Sequence, residues 1–210
     1  PPHSRRGVTN DKTPHAILDA VQPGEPWMKL DANQYAGVAE RADCLATAQD
    51  MEAALDRMAA DLTARLADKD PLVLCVMTGA VIVAGLLLPR LNFQLRIDYI
   101  HASRYQGATS GGEIAWRHRP SAAIRGEHVL VLDDILDEGI TLDQIVRACH
   151  EDGAASVQTA VLVEKRRPHQ CEADVVGIQI ADRYLYGYGL DYKNYFRNAP
   201  GIYAVADADI

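Results

Sequence analysis

The stretch VLVLDDILDEGITLDQI, Val129 to Ile145, decides the fold. Four apolar residues, Val129 to Leu132, run directly into Asp133 and Asp134, and Asp137 follows three residues on. Glu138-Gly139-Ile140-Thr141 then opens a helical pattern. Leu142, Ile145, Val146 and Cys149 share one face of it, and Gly153 stops it. A buried strand, an acidic turn, a glycine and a helix N-terminus describe a site for a phosphorylated ligand at the carboxyl end of a parallel sheet. The first backbone N–H groups of a helix have no intrahelical partner and point outward. Gly139 lets the backbone approach a ligand closely, and Thr141 adds a hydroxyl. Asp133 and Asp134 would repel a phosphate dianion in direct contact. Beside it they suit sugar hydroxyls, or Mg²⁺ held through water.

Working outward, the other segments supply a frame for that site. Met51, Leu55, Met58, Leu62 and Leu66 recur at helical spacing, behind Thr47 as N-cap and Asp50 in the capping-box position. Lys69-Asp70-Pro71 closes that helix. Leu72 to Met77 is apolar on both faces, as a central parallel strand is, and Thr78-Gly79 breaks it. Ala80 to Leu91 is apolar nearly all round, which predicts a buried helix. Gln94 to Ile100 reads as the next strand. His101 to Pro120 holds small polar residues and glycines, the composition of a lid or loop; segments around Ser103 and Ile114 have the makings of a hairpin. Ser156 to Val163 is a second two-sided strand, running into Glu164-Lys165-Arg166-Arg167, and Asp174 to Ile180 a shorter one. Alternating strands and helices predict an α/β fold, a doubly wound, mainly parallel sheet with helices on both faces and ligands at the strand carboxyl ends. Those ends carry Thr78-Gly79, Asp133-Asp134 and Lys165.

The net charge of -8 argues against non-specific binding to nucleic acid or an anionic membrane. No apolar run reaches transmembrane length. Cys44, Cys75, Cys149 and Cys171 are widely spaced without a CxxC pair, which points to reduced, packed thiols in a cytoplasmic protein. Residues 1–30, rich in Pro, Gly and charge, read as a flexible arm and not as a secretory signal. The start without methionine is what a processed end would leave.

VLVLDDILDEGITL resembles the PRPP-binding signature of type I phosphoribosyltransferases. LVLCVMTGAVIVAGLLLPRL, IDYIHASRY, AVLVEKR and ADRYLYGYGLDYKNYFRNAPGIYAV resemble successive segments of the hypoxanthine-guanine branch, over about residues 45 to 205. The resemblance implies a single domain over 31–210, with a small hood from about 31–45 and 168–210. It implies transfer of the phosphoribosyl group from PRPP to hypoxanthine or guanine, with release of pyrophosphate. It also implies Mg²⁺ as cofactor and a homodimer or homotetramer.

By position, the resemblance gives Asp133 and Asp134 the ribose hydroxyls and a nearby metal, and Glu138, Gly139, Ile140 and Thr141 the 5-phosphate. Asp137 becomes the base near purine N7, its pKa raised by nearby phosphate and carboxylates. Lys165 donates to the 6-oxo group, Tyr184 stacks on the base, and the Leu185 backbone meets its edge. Asp191 helps hold a second Mg²⁺, and Arg197 the pyrophosphate. Met77-Thr78-Gly79 is the pyrophosphate loop, with a cis peptide expected, and residues 103–118 are the lid. Without the resemblance, Lys165 reads as one solvated charge in a basic cluster. Two departures stand out. Thr78 occupies a place where the family often has Lys or Arg, and Arg104-Tyr105 a place where it usually has Ser-Tyr. Arg104 is therefore expected to bring the missing positive charge to pyrophosphate. A xanthine-preferring relative and a PRPP-sensing regulator are the competing readings. Asp137, Lys165, Asp191 and Arg197 all stand, and the chain is acidic, which favours the enzyme.

Overall fold

A computed structural model describes residues 29–104 and 114–210, so most of the N-terminal arm and the tip of the expected lid lie outside the described residues. The chain runs α1 (Ala32–Arg41), β1 (Asp43–Thr47), α2 (Ala48–Leu66), β2 (Leu72–Val76), α3 (Ala80–Leu87) and β3 (Arg96–Arg104). It continues with β4 (Ile114–His118), β5 (His128–Leu136), α4 (Ile140–Glu151), β6 (Ser156–Arg166), β7 (Val175–Ala181), β8 (Leu185–Tyr186) and β9 (Gly201–Ala204).

Six strands form the large sheet in the order β4-β3-β2-β5-β6-β7. β3, β2, β5, β6 and β7 pair in parallel, and β4 folds back on β3 as an antiparallel edge. That edge is the expected hairpin, with Ser103 opposite Ala115 and Arg104 opposite Ile114. β2, β5 and β6 are central and covered on both faces. Their side chains alternate between two cores, which is why they read as unbroken apolar runs. Leu130, Leu132 and Leu162 pack with Leu55 and Leu62 of α2 and Val83 of α3. Val129, Val131 and Val161 pack with Leu142 and Ile145 of α4 on the opposite face.

Three expectations need adjusting. α3 is shorter than Ala80–Leu91, giving way to a 3₁₀ turn at Leu88–Arg90 where Pro89 interrupts the pattern. It is not buried all round, because Val81 is 43 % exposed on the outer side. The acidic turn after β5 is not a turn either. The strand continues through Leu136, because pairing with β6 carries on past Asp133 opposite Val161 to Ile135 opposite Val163. Within the stretch expected to build the hood, residues 175–181 join the large sheet as β7. Only from Leu185 does the chain enter the small sheet β1-β9-β8. That sheet and α1 enclose an aromatic cluster of Tyr186, Tyr192 and Phe196 with Val38 and Val205.

α2 begins with the expected capping box. The Asp50 N–H donates to Thr47 Oγ1 at 3.3 Å, and the Thr47 N–H to Asp50 Oδ2 at 2.8 Å. Because these donors have no helical partner, Thr47→Ala is expected to cost about 1 kcal/mol of unfolding free energy, read as a lower urea midpoint at constant slope. All four cysteines are free, but only Cys75 and Cys149 are packed in the interior as expected; Cys44 is exposed and Cys171 half-buried. Among the described residues, no helix is long and apolar enough to cross a membrane.

Candidate active site

The carboxyl ends of β2, β5 and β6 meet the chain between β8 and β9 around a cleft of about 390 Å³. Twelve predicted site residues line it: Gly79, Asp133, Asp134, Asp137, Glu138, Gly139, Thr141, Lys165, Tyr184, Leu185, Asp191 and Arg197. Two do not. Thr78 is exposed and outside the lining, and Ile140 lies off the wall although both its flanking residues belong to it. The Arg104 side chain and Tyr105 lie outside the described residues. Met77 of the expected pyrophosphate loop also lines it, and Val76, Ile135 and Leu190 supply apolar wall that the sequence did not single out. The Met77–Thr78 peptide is cis, as expected.

Asp133 and Asp134 are both buried, at 8 % exposure each. The Asp134 N–H donates to Asp133 Oδ1 at 2.9 Å. Burial and then the Asp134 carboxylate push Asp133 well above the usual range. Burial also raises Asp134, opposed by its bond to Asp133 and by Arg197, and reinforced by Asp191. A cation or a set of hydroxyl donors arriving here would relieve that cost.

The backbone is pressed tightly against Asp134. A Cβ on Gly79 would lie 2.1 Å from Asp134 Oδ2, and one on Gly189 would lie 2.1 Å from the Gly79 carbonyl oxygen. Gly189 also has φ +107, outside what other residues readily adopt. The two glycines let three separate chain segments converge on one carboxylate. Beyond them, Arg197 Nη2 meets Asp191 Oδ1 at 2.5 Å, while its Nη1 donates to the Gly189 carbonyl at 2.6 Å. The Asn194 N–H donates to Asp191 Oδ2 at 2.7 Å.

α4 starts at Gly139, which has φ +78 and gives no side-chain cap. The N-cap itself therefore does not compete for the first-turn N–H groups, as suits an anion cradle. The turn is braced from outside: the Gln170 N–H donates to the Glu138 carbonyl at 2.8 Å, and Cys171 Sγ lies 3.3 Å from the Gly139 carbonyl.

Asp137 departs from expectation. Lys165 Nζ lies 2.9 Å from its Oδ2, and Arg167 Nη1 lies 2.8 Å from its Oδ1. Burial pushes this carboxyl up, but Lys165 and then Arg167 outweigh it and hold the pKa below the ordinary value. The expected rise is therefore corrected to a fall, because two cations sit where further carboxylates had been imagined. Asp182 joins the group, 3.4 Å from Lys165 Nζ and 3.5 Å from Arg167 Nη1. Arg167 and Asp182 were missed as site residues. Arg167 lies in the bend just past β6 and Asp182 in the bend just past β7, and no local pattern in the sequence pairs either with Asp137.

A set of hard oxygens suits Mg²⁺. Among the described residues no group of three metal-ligating side chains is assembled. Mg²⁺ is commonly held by one or two carboxylates plus substrate phosphates, and Asp134, whose charge Asp191 makes more costly, fits that pattern together with Asp191.

Residues 42–192 match the family model described as phosphoribosyl transferase domain. Hypoxanthine-guanine-xanthine phosphoribosyltransferase of Tritrichomonas foetus is 36 % identical over 156 residues, 73 % of this chain and 85 % of the relative. Hypoxanthine-guanine phosphoribosyltransferase of Bacillus subtilis is 30 % identical over 161 residues, 75 % of this chain and 89 % of the relative. A crystal structure of a hypoxanthine phosphoribosyltransferase from Staphylococcus aureus superposes with TM-score 0.75 at 26 % identity, covering 85 % of this chain and 97 % of that one.

Proposed function

The chain belongs to the phosphoribosyltransferase family, and from that premise we propose how its cleft works. It is a purine-salvage enzyme that transfers the 5-phosphoribosyl group of PRPP to hypoxanthine or guanine, giving IMP or GMP and pyrophosphate. The observation that carries the residue roles is the Lys165–Asp137 pair, 2.9 Å apart in the same cleft as the uncapped start of α4. A donor for a 6-oxo group and a carboxylate for a ring proton thus stand beside a phosphate cradle.

In this reading the N–H groups from Glu138 to Thr141 bind the 5-phosphate, and Asp133 and Asp134 accept from the ribose hydroxyls. Tyr184, 37 % exposed and lining the cleft, stacks on the base, and the Leu185 backbone meets its edge. N9 of the purine attacks C1 of the ribose, the bond from C1 to the pyrophosphate oxygen breaks, and the proton at N7 passes to Asp137. A carboxylate whose pKa is held low is charged and ready to receive that proton. Lys165, which can only donate, selects oxo over amino at the sixth ring position. Arg197 leaves Asp191 to meet the departing pyrophosphate. Mg²⁺, when held by Asp134, Asp191 and substrate oxygens, would supply charge neutralisation to that leaving group. Thr78 and Gly79 offer backbone N–H groups there. Arg104 adds the positive charge that Thr78 lacks, so Arg104→Ala is expected to raise the KM for PRPP with little effect on the KM for base.

The test is an absorbance assay with Mg²⁺, PRPP and each of hypoxanthine, guanine, xanthine and adenine. Turnover of hypoxanthine or guanine and none of adenine is expected, and no turnover of any 6-oxopurine would overturn the reading. Xanthine is included because one relative's name carries it. We place the enzyme in the cytoplasm, in keeping with its four free thiols. Exposed Val81, Ile97 and Tyr99 leave apolar surface for a second copy, so a dimer or tetramer is expected in sedimentation.

A further inference from the structure

Arg167 has no part in the roles assigned above. Its N–H donates to the Lys165 carbonyl at 2.9 Å in the tight bend just past the end of β6. Each then takes one oxygen of Asp137, Lys165 the Oδ2 and Arg167 the Oδ1. The two differ in access. Lys165 lines the cleft and Arg167 does not. A purine entering the cleft therefore meets Lys165, and Lys165 must turn from Asp137 to the 6-oxo group. Asp137 loses one of its two counter-ions at the moment the base shields it from water.

Resting on the function proposed above, we infer that Arg167 is the positioning residue that keeps Asp137 charged and aimed at the purine once Lys165 has left it. The surroundings of Arg167 suit that role. Asp182 lies 3.5 Å from Nη1 and Glu138 lies 3.6 Å from Nη2, so its guanidinium is anchored by carboxylates on two further segments. Its side chain is half-buried, with Nε buried and without a hydrogen-bond partner among the described residues. His169, two residues on, faces Glu164 at 4.0 Å and not Asp137. Planar guanidinium geometry also matters. Arg167 can hold Oδ1 in a fixed direction while Oδ2 stays open to the ring, whereas an ammonium gives a point charge without that constraint.

The experiment is the pH profile of kcat with hypoxanthine, at saturating PRPP and Mg²⁺, for the wild type, Arg167→Met and Arg167→Lys. The acidic limb of kcat reports Asp137 taking a proton in the complex, where Lys165 has turned to the purine, so losing Arg167 moves it to higher pH. Arg167→Met is expected to raise that limb by roughly one pH unit, with the loss mainly in kcat and the KM for PRPP little changed. Arg167→Lys should restore most of the shift. An unmoved limb in Arg167→Met overturns the inference, as does a uniform loss at every pH that Lys does not repair. Should Arg167→Met fail to fold, carbon NMR of the Asp137 carboxyl in the wild type with IMP bound decides the matter. A pKa that stays below the ordinary value of about 3.9 supports the inference, and one at or above it overturns it. A wild type without transfer activity overturns the function itself, an outcome distinct from an active wild type whose limb ignores Arg167.

Discussion

Asp137→Asn is expected to lower kcat by about 10²–10⁴-fold while leaving PRPP binding nearly intact. The amide keeps the size and much of the hydrogen-bonding shape of the carboxylate but cannot take the N7 proton. It also removes the charge that holds Lys165 and Arg167 in place, 2.9 and 2.8 Å away. Lys165 then leaves only a neutral amide on this side, and the KM for hypoxanthine should fall or stay level while kcat collapses. That split separates a lost proton acceptor from a damaged base site, in which KM would rise. The check is steady-state kinetics on both substrates together with calorimetry of PRPP–Mg²⁺ binding. Near-full activity of Asp137→Asn would remove Asp137 as the base and leave the fold and the phosphate cradle untouched.

Gly189→Ala should be nearly as damaging without touching any reacting group. The added methyl meets the Gly79 carbonyl oxygen at 2.1 Å and the Asp134 Cβ at 3.4 Å, on a backbone with φ +107. The first contact is with main chain, which cannot rotate away. Strain at such a position costs about 1–3 kcal/mol before any clash is counted. The expected result is a lower unfolding midpoint and a loss of kcat/KM of about 100-fold, since a misplacement near 1 Å is enough for that. The loss should fall on PRPP more than on the purine, because Gly79 and Asp134 are displaced while Lys165 and Tyr184 are not. A stable, fully active Gly189→Ala would mean that the Gly79 turn yields freely.

These two residues also show how far the primary structure can be read. β2, β5 and β6 were legible because burial on two faces leaves an unbroken apolar run, and α2 because its cap and stripe follow local rules. Asp133 and Asp134 were legible as a site but not as strand residues. Whether a strand stops at a polar pair depends on its neighbour, and β6 keeps pairing with it. The lowered pKa of Asp137 was out of reach, since Lys165 and Arg167 are 28 and 30 residues away. The convergence of Gly79, Asp134 and Gly189 was hidden for the same reason. The segment that makes it, with positive φ at Gly187, Tyr188, Gly189, Lys193, Asn194 and Phe196, follows no period that could be counted.

The pairing of opposite charges within the cleft has a kinetic side. Lys165 rests on Asp137, and Arg197 rests on Asp191. On the proposed roles, neither substrate would meet a bare cation: pyrophosphate would exchange with Asp191 for Arg197, and the purine with Asp137 for Lys165. Swapping changes the net Coulomb energy less than capture by unpaired charge would, so the affinity for PRPP should vary with ionic strength less steeply than its own charge suggests. The same swap runs backward when the reaction ends. As pyrophosphate and nucleotide depart, each cation would return to the carboxylate it pairs with within 3 Å, which would lower the barrier to release in a class of step that often limits turnover.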